Sequence, residues 1–335
     1  MPNERQDIPL PPMLRTSTGE ARRIGVEIEL GGLELEAVVA IVVDFLGGTV
    51  EERGRYEQAV LGDSAGPWQV EIDFALLKEL GRRERDPDNA LAGFEEAGED
   101  LVRAASSWLV PIEIVSPPLP FARLAEVDAL IERLRRAGAQ GTAGSLVNAF
   151  GLQINPEVPA TDADTLRHYL QAFLCLFDWL QHRAQIDLAR RLTSFVAPFP
   201  KPYVQRVLQP DYRPDLAGLI DDYLADNPTR NRALDLLPLF LHLDPERVRR
   251  VVDDTRVKAR PTLHYRLPNS EVDRPGWGVR PVWEDWLQVE HLVADPARLA
   301  EVCRAYADFL DRPLGGLIDD WASEVRTWLK APDDL

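Results

Sequence analysis

Cysteine, methionine and histidine are all scarce: 335 residues hold two cysteines, two methionines and five histidines. Cys175 and Cys303 belong to no paired motif and fall in predicted helices. The expectation is two buried thiols in a reducing, cytoplasmic compartment. The absence of a cysteine pair and of His-x-x-x-His spacing, with only five histidines, argues against a zinc site. Positive charge is also short, with 38 bases against 55 acids and a net charge of −17. That argues against nucleic acid or an anionic membrane surface as the main partner, though not against an anionic nucleotide held through metal. No apolar run approaches the ~20 residues that cross a bilayer. The N-terminus lacks the basic stretch and apolar core of a signal peptide. The usual phosphate loops are missing: there is no Gly-x-x-x-x-Gly-Lys-Ser/Thr, and no Gly-x-Gly-x-x-Gly follows a strand. A Gly-x-Ser-x-Gly nucleophile elbow is absent as well. Any nucleotide would have to be held by metals and scattered basic groups.

What the chain does have is a recurring alternation of acids with apolar residues. In Arg23-Ile-Gly-Val-Glu-Ile-Glu-Leu, a strand puts Glu27 and Glu29 on one face and Val26, Ile28 and Leu30 on the other. Trp68-Gln-Val-Glu-Ile-Asp-Phe pairs Glu71 with Asp73, Pro111-Ile-Glu-Ile-Val isolates Glu113, and Gly151-Leu-Gln-Ile-Asn pairs Gln153 with Asn155. Carboxylates about 5 Å apart on neighbouring strands repel by roughly 3 kcal/mol per pair at an effective dielectric near 20. Ordinary solvated strand faces mix Thr, Lys, Arg, Ser and Glu, whereas these positions carry only acids and amides. The pattern points to an oxygen-rich face that takes hard divalent cations such as Mg²⁺ or Mn²⁺. A merely solvated face of an antiparallel sheet is the alternative.

The hydrophobic content of 45 % over this length supports a sizeable core, as one large domain or two smaller ones. After a Pro-rich lead-in (1–20), the pattern predicts a strand at 23–30, a helix at 34–46 and a hairpin of 55–61 with 67–74. Residues 77–93, with the basic run Arg82-Arg83-Glu-Arg85, read as an exposed loop or a lid. A helix near 94–107, a strand at 109–115, a helix at 122–137 and a strand at 149–155 follow. Helical spacing runs from Asp162 to about Arg183. Residues 196–214 read as a wandering loop, and 215–225 and 231–241 as short helices. A strand at 261–267 precedes helices near 281–293, 296–310 and 312–329. Early alternation of strands with helices and a later helical part give an α+β class.

Other residues invite chemistry. In Thr262-Leu-His-Tyr-Arg-Leu, Thr262, His264 and Arg266 alternate with Leu263, Tyr265 and Leu267. An arginine on the acid face would bind phosphate and steady transition-state charge, or merely pair with one acid. His264 is either a ligand contact or a half-buried structural histidine. Lys258 and Arg260 precede that strand and are placed to touch phosphates, although such bases are usually solvated. Ser116 either binds a ligand oxygen or simply terminates its strand. His168, His182 and His291 read as structural, and Trp277, Trp283 and Trp286 as a packing cluster.

These segments, in this order, resemble the amidoligases, a carboxylate–amine ligase group related to glutamine synthetase and glutamate–cysteine ligase. The resemblance covers roughly residues 21–293, and Gly-x-Glu-x-Glu (25–29) and Glu113-Ile-Val-Ser-Pro-Pro are its most specific pieces. It implies a curved antiparallel sheet, a glutamine synthetase-like half-barrel with helices on its convex face and a helical C-terminal part. A catalytic domain would span 21–293 with a helical insertion at about 160–255, and helices of 294–335 would pack on it behind a flexible lead-in (1–20). Carried over by motif, Glu27, Glu29 and Glu113 look like metal ligands, and Arg266, Asp73 and Glu71 like catalytic groups. Ser116, Gln153, Asn155, Arg260 and His264 become candidates for holding ATP with Mg²⁺ or Mn²⁺. Departures exist: Gln153-x-Asn155 stands where His-x-His or His-x-Asn is common, His264 where a glutamate is usual, and Ala75 where a serine is.

The function expected is an ATP-dependent ligase joining a small-molecule or peptide carboxylate to an amine through an acyl phosphate. The resemblance also implies an amidotransferase-like or cyclotransferase partner enzyme. The rival readings are a non-catalytic nucleotide- or partner-binding relative and a metal-dependent hydrolase, since acid clusters also build two-metal sites.

Overall fold

The computed structural model describes residues 8–54, 56–72, 111–142, 150–184, 196–312 and 320–331. The expected lid at 77–93, the helix near 94–107 and Asp73 lie outside them. The described residues form a mixed fold of one open antiparallel sheet and ten α-helices.

The strands are β1 (Arg23–Leu30), β2 (Thr49–Gly54), β3 (Glu57–Leu61), β4 (Trp68–Ile72), β5 (Ile112–Val115), β6 (Leu119–Pro120), β7 (Leu152–Pro156), β8 (Leu234–Asp235) and β9 (His264–Tyr265). They are ordered β2-β3-β4-β5-β1-β7-β9-β8, with β6 pairing the start of β1 beyond the end of β5. The α-helices are α1 (Leu35–Leu46), α2 (Leu124–Arg136), α3 (Ala163–Arg183), α4 (Lys201–Val207), α5 (Leu216–Asp226), α6 (Leu237–Leu243), α7 (Pro245–Arg249), α8 (Val279–Ala294), α9 (Pro296–Leu310) and α10 (Trp321–Glu324).

The alternation in β1 is realised literally. Ile24, Val26, Ile28 and Leu30 are buried, while Glu27 and Glu29 are only partly covered on the other face. The apolar face carries the helices. Helix α1 packs on β3 and β4, and ends at Gly47, whose φ of 65° is the left-handed conformation that glycine adopts without steric cost. The next residue, Gly48, has no room for a side chain, because a Cβ there would lie 1.9 Å from the Leu61 carbonyl oxygen of β3. Under the other end of the sheet, Tyr265 of β9 meets Phe173 of α3 at 6.0 Å and Trp286 of α8 at 5.2 Å. Trp283 stacks on Phe121 at 5.0 Å. One apolar cluster runs from Ile8 to Val325.

β1 is tied down at its start. Arg22, fully buried, makes a two-pronged ion pair with Glu290 of α8, with oxygen–nitrogen distances of 2.8 and 3.0 Å. Tyr169 and Trp286 donate to the same carboxylate. Each charge is therefore matched where water cannot reach it. The lead-in joins this anchor, since Arg22 donates to the Met13 carbonyl, Trp283 donates to that of Pro9, and Ile8 is buried.

Several predicted boundaries shift. Residues 49–54 form an edge strand that their exposed, polar pattern concealed. The 196–214 stretch contains α4, because Pro202 near its start sits where a helix tolerates proline. The 231–241 segment is a two-residue strand followed by α6. The predicted strand at 261–267 is regular only at His264 and Tyr265. Among the described residues no helix is long and apolar enough to cross a membrane. Cys175 and Cys303 are buried with their sulfurs 3.8 Å apart.

Candidate functional site

Register decides which acids meet. Glu57 faces Glu71 across β3 and β4, Glu71 faces Glu113 across β4 and β5, and Glu113 faces Glu29 across β5 and β1. Four glutamates thus form one row perpendicular to four strands, about 14 Å long at a strand spacing near 4.8 Å. One step along β1, Glu27 faces Gln153 of β7. All six side chains line a single cavity of about 700 Å³.

The same cavity also has a basic lining. Arg230, Arg256, Lys258, Arg260 and Arg266 border it, Arg266 from just past the end of β9 and the others from the segments on either side of α6 and α7. Arg256 is matched by Asp254, which it holds down to about 2. Arg260 reaches Glu27 at 3.7 Å, while Asn155 donates to Glu27 at 2.7 Å. Burial lowers the pKa of Arg230, and the neighbouring guanidiniums of Arg266 and Arg256 lower it further. Cations crowded in this way favour an anion between them.

At the back of the cavity, Asp235 and His264 are register partners on β8 and β9. Asp235 is buried and accepts from the Leu237 backbone N–H at 2.9 Å through Oδ1. Its Oδ2 has no hydrogen bond among the described residues and lies 3.6 Å from Arg266. Burial pushes its pKa up to about 6, against the pull of Arg266. His264 is buried and driven well below its usual value by desolvation and then by Arg266, so its ring is neutral. Neither His264 nitrogen nor Gln153 Oε1 has a partner among the described residues. Buried polar atoms without partners that line a cavity are sites for ligand or water.

The structure thus brings together Glu27, Glu29, Glu71, Glu113, Gln153, Arg260, His264 and Arg266. Two expected ligand contacts are placed otherwise. Ser116 Oγ accepts from the Val26 N–H at 2.9 Å and donates to the Pro117 carbonyl at 2.9 Å. Its hydroxyl is spent on the strand crossing of β1 and β5, the strand-terminating alternative. Asn155 lies outside the cavity lining and acts through Glu27. The cavity also recruits Glu57, Arg230, Asp235 and Arg256, which sequence reading missed. Glu57 carried a signal, since it lies within the predicted strand 55–61, but the other three sit in loops or in a two-residue strand with no period to read.

Could these residues hold the expected cations? Among the described residues no three His, Cys, Asp or Glu side chains converge on one point. A row supplies carboxylates singly or in pairs. That suits Mg²⁺, which keeps several waters and takes one or two carboxylates together with substrate phosphates. The donor set fits a cation shared with a phosphate-bearing ligand and not an all-protein cage.

Comparison with known proteins adds one match. Residues 20–288 match the model of a family described as "Putative amidoligase enzyme". No curated protein and no solved structure matches the chain.

Proposed function

The chain belongs to the amidoligase family, and from that premise we propose that it is an ATP-dependent carboxylate–amine ligase working through an acyl phosphate. One observation carries the reading: a glutamate row and a cluster of arginines line one cavity. The arginines match phosphate oxygens in charge and geometry, and the glutamates match the cations that accompany them. A glutamine synthetase-like curvature of the sheet belongs to the same proposal.

Bound nucleotide with Mg²⁺ would supply the transferable phosphoryl group and neutralise the glutamates. Glu27, Glu29 and Glu113 would hold the cations, with Asn155 and Arg260 orienting Glu27. Arg266, Arg230, Arg260 and Lys258 would take phosphate oxygens, as would Arg256. A substrate carboxylate oxygen bonds to the terminal phosphorus as ADP leaves. The amine nitrogen then bonds to the acyl carbon, and the C–O bond to phosphate breaks. The step works because phosphate leaves readily where a carboxylate oxygen does not. The amine must shed a proton, and Asp235, which lines the cavity with a raised pKa, would receive it. His264, neutral, can offer one donor and one acceptor to the reacting groups. Positioning and fixed charge supply most of the rate.

The test is ADP release by purified protein with Mg²⁺ across a panel of acids and amines, with Glu27→Gln alongside. Turnover that needs both an acid and an amine, and that falls in the variant, is the expected result. Release of phosphate or peptide products without nucleotide would favour a hydrolase, and nucleotide binding with no turnover a non-catalytic relative.

A further inference from the structure

A second recess lies away from the strand-lined cavity and shares no lining residue with it. It encloses about 310 Å³ between α3, the turn after α4 and the first half of α9. Arg167, Arg213 and Arg304 line it together with His168, Gln171 and Asp164.

Arg167 is a built element and not a stray surface charge. Its side chain is 6 % exposed. One terminal nitrogen donates to Gln171 Oε1 at 2.9 Å, and the other to Asp164 Oδ1 at 2.7 Å. Gln171 is itself locked, because its amide nitrogen donates to the Val207 carbonyl at 2.7 Å. That bond leaves its oxygen for Arg167. Arg167 Nε is buried with no partner among the described residues.

The balance of charge is the second observation. His168 Nε2 lies 3.1 Å from an Arg167 nitrogen that can only donate, so the imidazole accepts there and is neutral. Burial and then Arg167 lower its pKa, with Arg213 adding to the effect. Three guanidiniums against the single carboxylate of Asp164 leave two positive charges in the recess. The chain as a whole carries −17. Arg213 and Arg304 stand exposed at the rim and form no ion pair among the described residues.

We propose that this recess binds a small ligand through a dianionic phosphoryl group, gripped by Arg213 and Arg304 and seated on Arg167. Two charges on the ligand match the two left uncompensated, and planar guanidinium forks suit tetrahedral oxyanions. The volume sits at the lower end of small-molecule pockets, enough for a phosphate and a small body.

The experiment is a thermal melt of the full chain with inorganic phosphate at constant ionic strength, repeated with glycerol phosphate and with succinate. A saturable rise with the two phosphates, larger than with succinate, is expected. Arg213→Glu and Arg304→Glu should each weaken the apparent affinity by about tenfold or more, whereas Arg266→Ala in the other cavity should leave it in place. Both rim residues are exposed, so folding should survive their replacement. A rise that never saturates, a stronger response to succinate, or a response lost in Arg266→Ala but kept in the rim variants would overturn the proposal.

Discussion

Asp235 and Arg266 face each other at 3.6 Å at the back of the strand-lined cavity, an acid and a base brought there by neighbouring two-residue strands. The carboxylate is buried so completely that its attraction to Arg266 does not offset desolvation, and its pKa rises to about 6. A group raised in the folded state holds a proton that the unfolded chain has already lost. Its stabilising contribution is full below the unfolded value of 3.8 and disappears as pH climbs through about 6. Asp285 shifts in the same direction, also to about 6. Asp235→Asn should therefore flatten part of the pH dependence, shrinking the drop in unfolding free energy between pH ~5 and ~7.5 by roughly 1 kcal/mol. Urea titrations at the two pH values measure it. An unchanged drop would mean that Asp235 does not titrate in this range.

Glu27 is gripped by Asn155 and Arg260 yet keeps its place in the cavity lining. If cations bridge Glu27 to phosphate oxygens, ATP and Mg²⁺ together should raise the melting temperature more than the sum of their separate effects. Glu27→Gln keeps the shape and removes the charge, so the joint rise should shrink while the ligand-free melt changes little. Equal joint rises in the two proteins would remove Glu27 from the cation site.

Ser116 offers a contrast, because its hydroxyl serves the backbone of β1 and not the cavity. Ser116→Ala leaves the buried Val26 N–H without that acceptor and should cost about 1–3 kcal/mol. The joint response to ATP and Mg²⁺ should persist. Loss of that response in an otherwise well-folded variant would restore Ser116 as a ligand contact.

The Arg22–Glu290 pair holds the strand that carries Glu27 and Glu29, though neither member touches the cavity. Glu290→Ala strands a buried guanidinium and should lower unfolding free energy by about 3–5 kcal/mol. Chemical denaturation checks this, with Glu290→Gln as a milder variant should the first not fold. A loss under about 1 kcal/mol would show that water reaches Arg22.

Local chemistry alone determined that Glu27 and Glu29 share a face, because a strand's two-residue period is a property of the backbone and needs no partner. The helical spacing of α3 and the buried thiols were legible for the same reason. Tertiary structure decided which acids became neighbours. Register between β1 and β5 joins residues more than 80 positions apart, and a slip of one residue would send Glu113 to the apolar side. It also decided that Ser116 turns to the backbone, and that Asp235 and Arg230 come from segments too short to carry a period. Those outcomes depend on long-range pairing and desolvation, quantities that no stretch of adjacent residues contains.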